Sequence, residues 1–217
     1  GRDWSARQRE QARRIGACYM TMNNPYYEMV NEEIRAVVEE NGDILITRNP
    51  ALDSERQVEQ IQELIDMGVA AIVVTPVDWK AICPVLRQAK EKGIYIIAVD
   101  ANLYEEELAD STVVSDNYQA GVLCARHLME AADSARIVLL SHSAAKSSID
   151  RVAGFQDTLT DRYEIVARGE CDGQLEVAMP VMEEIIESGV SFDTVFALND
   201  PSALGAMAAL EEAGRLD

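Results

Sequence analysis

The sequence predicts an α/β protein built as two similar lobes, each a parallel sheet flanked by helices. Three observations carry this. The runs Ala70-Ala71-Ile72-Val73-Val74-Thr75 and Ile94-Tyr95-Ile96-Ile97-Ala98-Val99 are almost continuously apolar, the pattern of parallel strands covered on both faces. Such runs alternate with segments of helical period over short connections, and a parallel neighbour needs a crossover that a helix supplies. The alternation breaks once, over the acidic and core-poor stretch Asn102 to Asp110, and then restarts.

In order along the chain, Arg14 to Met20 reads as a buried strand. Glu28 to Glu40 has helical spacing through Met29, Val30, Ile34, Val37 and Val38. Asp43 to Thr47 is a short β-branched run, and Ser54 to Met67 a helix with Val58, Ile61, Leu64 and Ile65 on one face, stopped by Gly68. The strand at 70–75 precedes a helix from Trp79 to Lys92, and the strand at 94–99 precedes Asp100. A strand at Thr112 to Val114 and Ser115-Asp116-Asn117 form the crossing between lobes. Helices at 118–132, 148–159, 175–188 and 202–213 then alternate with strands at 136–140, 164–167 and 194–198. Pro180 is expected to shorten or kink its helix. The division is a lead-in at 1–13, a first lobe at 14–116 and a second at 117–217. The second lobe reads as incomplete, because the chain stops at Asp217 where another strand is expected.

Composition narrows the function. With 217 residues, 48% of them hydrophobic, the chain can bury two small cores. Nineteen basic against 38 acidic residues give a net charge of -19, which repels phosphate backbones and argues against nucleic acid as a partner. No run of about 18 apolar residues occurs, so no segment is expected to insert in a membrane. Gly1 is not a natural start, so the lack of a leader does not argue for a cytosolic protein. Cys18, Cys83, Cys124 and Cys171 form no Cys-x-x-Cys pair and read as buried thiols. With His127 and His142 the only histidines, no metal or other cofactor is expected.

Open parallel sheets bind ligands beyond the carboxyl ends of their strands. The residues there are Asn23, Asn24, Pro25, Tyr26 and Tyr27; Asp100 with Asn102; His142 to Ser148 with Asp150 and Arg151; Glu170 and Asp172; and Asn199 with Asp200. Asn24 before Pro25 and Asp200 before Pro201 read as helix caps. Asn23 and Asn199 are not needed as caps and so read as candidates to face a ligand, with a turn-forming role the alternative. One of the two tyrosine rings is expected in the core and the other in the cleft. Asp100 is costly if buried alone and implies a hydrogen-bonded ligand or an arginine as its partner. Arg151 is open to several pairings: Asp100, or Asp150 or Asp157 on its own helix. Amides, carboxylate, guanidinium and rings together suit a sugar, whose hydroxyls hydrogen-bond while its C–H faces pack on aromatic rings.

At these positions the sequence resembles the periplasmic sugar-binding proteins of the ribose-binding type, a family shared with lac-repressor-like effector domains, over about residues 13–216. The matching segments are Asn23 to Tyr27, Val99-Asp100, Asp116-Asn117, Arg151 to Phe155 in the form Arg-x-x-Gly-Phe, and Asn199-Asp200. The resemblance implies Asn23, Tyr26, Tyr27, Asp100, Arg151 and Asn199 as ligand residues. It departs at Ala101, where the ribose-binding type has arginine, and near Gly173, where it has an aromatic. Both departures favour a ligand other than ribose.

The implied function is an extracytoplasmic solute receptor, periplasmic or anchored at the cell surface. It closes by a hinge around a sugar or polyol and hands it to the membrane permease of an ABC transporter. The alternatives are the sensing domain of a membrane signalling protein and the effector domain of a lac-repressor-like regulator. An enzyme is not expected, since nucleophile elbow and phosphate loop are both missing. His142 among Ser141, Ser143, Ser147 and Ser148 reads as a serine-rich loop.

Overall fold

A computed structural model describes residues 12–216; most of the expected lead-in lies outside the described residues. The chain divides into two compact units, one ending at Val114 and the next beginning at Ser115.

The first unit contains β1 (Arg14–Cys18), α1 (Pro25–Glu40), β2 (Ile44–Arg48), α2 (Ser54–Asp66), β3 (Ala71–Val74), α3 (Cys83–Glu91), β4 (Tyr95–Val99), a 3-10 turn (Glu106–Leu108) and β5 (Ser111–Val113). Its sheet is parallel throughout, in the order β2-β1-β3-β4-β5. Ile72, Val74, Ile96 and Ala98 from the central strands pack with Ile61, Leu64 and Ile65 of α2 and Val85, Leu86 and Ala89 of α3 in one buried cluster. That burial answers the apolar runs in the sequence. The helix expected from Trp79 begins only at Cys83. Pro84 explains the late start, because proline suits the first turn of a helix, where a backbone N–H has no partner to lose.

The second unit contains α4 (Asn117–Ala131), β6 (Ala135–Ser141), α5 (Lys146–Thr158), β7 (Tyr163–Glu170), α6 (Leu175–Glu187), β8 (Thr194–Ala197) and α7 (Asp200–Glu212). Its strands are parallel in the order β7-β6-β8. Alternate residues of β6 serve two cores, as strand geometry requires. Val138 and Leu140 pack with Ala178, Met182, Ala206 and Ala209 of α6 and α7. Ile137 and Leu139 pack with Ala125 of α4, Phe155 of α5 and Phe196 of β8. Of the two effects expected of Pro180, shortening is not seen, since α6 runs through it from Leu175 to Glu187. The proline is exposed, and a backbone carbonyl that loses its helical N–H partner on a wet face can bond to water instead.

Candidate functional site

In the first unit β1 lies between β2 and β3, so the connections from neighbouring strands leave in opposite directions at its carboxyl end. Such a switch point opens a crevice above the sheet. Gln57 of α2, fully buried, holds the strand ends together. Its Nε2 donates to the carbonyls of Thr75 at 2.9 Å and Cys18 at 3.3 Å, and its Oε1 accepts from the N–H of Val77 at 2.7 Å.

The loop after β1 is fixed by short-range chemistry. Asn24 caps α1, its side chain accepting from the N–H of Tyr26 at 3.0 Å with Pro25 in the first turn. Thr21 Oγ1 accepts from the N–H of Asn23 at 3.0 Å, and the Asn23 side chain is exposed. The two tyrosines differ in burial. Tyr27 is buried and stacks on Tyr19 with centroids 5.9 Å apart, while Tyr26 keeps 45% of its surface and meets Tyr27 edge-on at 5.2 Å.

Asp100 follows β4 with φ at 68°, a left-handed conformation that aspartate tolerates better than most residues. Its N–H donates to the Val113 carbonyl at 2.8 Å, and its Oδ2 accepts from the Tyr27 hydroxyl at 2.8 Å. Within this unit the partner of the carboxylate is thus a phenol from the loop after β1. Ala101, where the ribose-binding type has arginine, is 2% exposed.

The carboxyl edge of the second unit centres on Arg151, in the second turn of α5. Its Nη1 donates to the Leu198 carbonyl after β8, and its Nη2 to Asn117 Oδ1 at the start of α4, at 2.5 Å. Among the described residues its buried Nε finds no hydrogen-bond partner. Neither acid expected on its own helix takes it, since Asp150 pairs with Lys146 and Asp157 accepts from the Tyr118 hydroxyl at 3.2 Å.

One expectation is overturned at the end of β8. Asn199, not Asp200, caps α7, its Oδ1 accepting from the N–H of Ser202 at 3.0 Å and from its hydroxyl at 2.7 Å. Its Nδ2 donates to the Gly173 carbonyl at 3.0 Å. Proline at the second helical position places Asp200 already inside the helix, so the cap falls one residue earlier. The same contact accounts for Gly173. It has φ at 68°, and a Cβ there would sit 2.8 Å from Asn199 Nδ2, so a side chain at this turn would be strained and would crowd the Asn199 amide.

The serine-rich loop after β6 is a set of backbone supports. Ser148 Oγ accepts from the N–H of His142 at 3.0 Å, and Glu170 accepts from the N–H of Ser143 at 2.6 Å. Burial holds the His142 pKa below its ordinary value, against the opposing pull of Asp172 and Glu170. Among the described residues no cluster of histidine, cysteine and carboxylate groups could hold a metal ion, and no helix is long and apolar enough to cross a membrane.

Sequence reasoning missed Gln57 and Tyr19 and read Asn117 only as part of a crossing. It also missed the edge-on pair of Trp79 and Tyr104 at 5.2 Å, with the Lys80 ammonium 5.6 Å and 5.0 Å from the two rings. Asn117 carried a signal, since an amide directly behind a capping aspartate is not needed for the cap.

Comparison with known proteins agrees with this architecture. The model of the periplasmic binding protein domain matches residues 15–217. The chain is 26% identical over 203 residues to the ribose import binding protein of Bacillus subtilis, covering 93% of this chain and 66% of that protein. It is 32% identical over 211 residues to the xylitol-binding protein of Mycolicibacterium smegmatis, covering 94% and 59% respectively. It thus spans about two thirds of the length of these relatives. Among solved structures, an ABC transporter solute-binding protein from Mycobacterium smegmatis with bound glycerol superimposes with a TM-score of 0.87 at 29% identity, covering 94% of this chain and 72% of the other. The chain belongs to the periplasmic binding protein family.

Proposed function

We propose that this chain is the ligand-binding part of an extracytoplasmic receptor that captures a sugar or polyol and delivers it to a membrane permease. The observation that carries the reading is the grouping at the first unit's switch point. There a carboxylate is oriented by a buried phenol, with an exposed phenol edge-on beside it. A carboxylate accepts from two neighbouring hydroxyls, and an aromatic face covers the C–H side of a carbohydrate. Asp100 supplies the acceptor, Tyr26 the platform and Asn23 an amide, with Tyr27 holding Asp100. In the second unit Arg151 supplies donors to hydroxyl oxygens, and Asn199 sets the turn beside it.

The names of relatives support the class, since ribose, xylitol and glycerol are all polyhydroxylated and uncharged. Ala101 and Gly173 weigh against ribose itself, because neither offers the arginine or the aromatic of the ribose-binding type. The activity is binding and release, with no bond made or broken.

Titration calorimetry of the full-length protein against pentoses, pentitols, hexoses, inositols and nucleosides tests the reading. One sugar or polyol should bind, and Asp100→Ala and Arg151→Ala should each abolish it. No heat from any carbohydrate would overturn the proposal.

A further inference from the structure

We infer that Asn117, a residue outside the ligand set above, is the positioning residue for Arg151 and ties its guanidinium to the segment that enters the second unit. This rests on the reading of Arg151 as a ligand residue.

The geometry lies wholly within the second unit. Asn117 is the first residue of α4 and is 6% exposed. The cap of that helix is already supplied by Asp116, which accepts from the N–H of Gln119 at 2.9 Å. The Asn117 amide is therefore spent elsewhere. Its Oδ1 accepts from Arg151 Nη2 at 2.5 Å, and its Nδ2 donates to the Ser115 carbonyl at 3.2 Å. Its own N–H reaches the same carbonyl at 2.8 Å. One buried side chain thus links the first residue of the unit to the guanidinium.

That link is made short by the helix crossing beneath it. A Cβ on Gly121 would lie 1.9 Å from the Arg151 carbonyl, and one on Gly154 would lie 2.0 Å from the Tyr118 carbonyl. The absence of both side chains lets α4 and α5 meet backbone to backbone, at the turn that carries Arg151. The guanidinium has five N–H donors in a fixed plane. One goes to Leu198, one goes to Asn117, and the buried Nε–H finds no partner among the described residues. Two bonds in one plane fix its orientation, and the remaining Nη hydrogens are those left for a ligand. Without Asn117 the guanidinium keeps one anchor and can swing about it. The energy of holding it still is then drawn from ligand binding.

The two bonds of Asn117 separate by substitution. Asn117→Asp keeps an acceptor for Arg151 and loses the donor to Ser115; Asn117→Ala loses both. Calorimetry with the carbohydrate that binds wild type should show affinity lowered about tenfold in Asn117→Ala, the size expected for a lost bond to a charged group. Asn117→Asp should stay close to wild type. In an Arg151→Lys background, Asn117→Ala should cost little more, because the planar fork it holds is gone. Equal losses in Asn117→Ala with either residue at 151, or Asn117→Asp behaving as Asn117→Ala, would overturn the inference.

A second measurement needs no ligand. Nitrogen NMR of the arginine side chains should show slowed guanidinium rotation at Arg151 in wild type and Asn117→Asp, and measurably faster rotation in Asn117→Ala, where only the bond to Leu198 remains. Unchanged rotation in folded Asn117→Ala would sink the positioning role whatever the protein binds. Silence of wild type toward every carbohydrate, with rotation at Arg151 quickened as expected in Asn117→Ala, would overturn the functional reading and leave the positioning role standing.

Discussion

Tyr27 Oη and Asp100 Oδ2 stand 2.8 Å apart, joined by a hydrogen bond between side chains 73 positions apart in sequence. The bond connects the loop after the central strand β1 to the loop after β4. It lets the carboxylate stay partly buried at a left-handed backbone position, where it would otherwise be short of partners.

Tyr27→Phe keeps the ring that stacks on Tyr19 and removes the hydroxyl that makes this bond. Urea denaturation should show a loss of about 1 to 2 kcal/mol, within the range for a hydrogen bond to a charged group. Ligand affinity should fall as well, though less than in Asp100→Ala, because the carboxylate remains but is less firmly aimed. A variant as stable as wild type with unchanged affinity would show that Asp100 is oriented by its backbone alone.

Tyr26→Ala separates platform from scaffold. The ring is nearly half exposed, so the melting temperature should move little, whereas carbohydrate affinity should fall about tenfold, the scale of a lost aromatic packing contact. A large fall in melting temperature with unchanged affinity would assign Tyr26 to the fold instead.

Stability should fall on the acid side of neutrality through His142. Burial is the main cause of its lowered pKa, and Asp172 and Glu170 pull the other way. As pH drops below the ordinary value of 6.5, the unfolded chain takes up the proton while the native imidazole stays neutral, so the unfolded state gains. The contribution is fully present above 6.5 and is lost as pH falls toward the lower folded pKa. Urea denaturation at a series of pH values should show this slope in wild type and a flatter one in His142→Gln.

Thiol chemistry gives a count that the fold fixes. All four cysteines are free; Cys124, read from the sequence as a buried thiol, is instead exposed, and Cys18, Cys83 and Cys171 are 1% exposed or less. Burial pushes the Cys18 thiol up to about 12, against the opposing hydrogen bond from Gln57, and also raises Cys171. Since the thiolate is the reactive form, a thiol reagent near neutral pH should label one cysteine in the native chain, at Cys124, and four after denaturation. Rapid labelling of two or more in the native chain would contradict the burial.

Much of the fold was legible because strands buried on both faces leave apolar runs, and helices leave a period that glycine and proline punctuate. What the sequence left open was decided by contacts distant along the chain. The requirement that Asp100 find a partner was readable, but Tyr27 as that partner was not, because two loops far apart meet only once β1 and β4 take their places. Asn199 and Asp200 both suit a cap, and the exchange turned on a single residue of register. Arg151 was read against Asp100 and against the acids on its own helix, yet within its unit it bonds to Leu198, which follows β8, and to Asn117, which the crossing of α4 and α5 brings to it.

That crossing yields the sharpest stability test. In Gly121→Ala the new methyl would lie 1.9 Å from the Arg151 carbonyl and 2.6 Å from the Phe155 nitrogen, and in Gly154→Ala it would lie 2.0 Å from the Tyr118 carbonyl. Backbone atoms cannot rotate aside, so the helices must separate and open the core around Ala125 and Phe155. Each variant should lose about 3 kcal/mol or more, at the upper end for overpacking. Gly42→Ala is the control, with φ at 79° and nothing within 4 Å of its added carbon. Strain alone should cost it about 1 kcal/mol. Because Arg151 rides on the same turn, a folded Gly121→Ala should also bind its carbohydrate more weakly, whereas Gly42→Ala should not. Equal losses of stability in all three variants would mean that the helices can part freely.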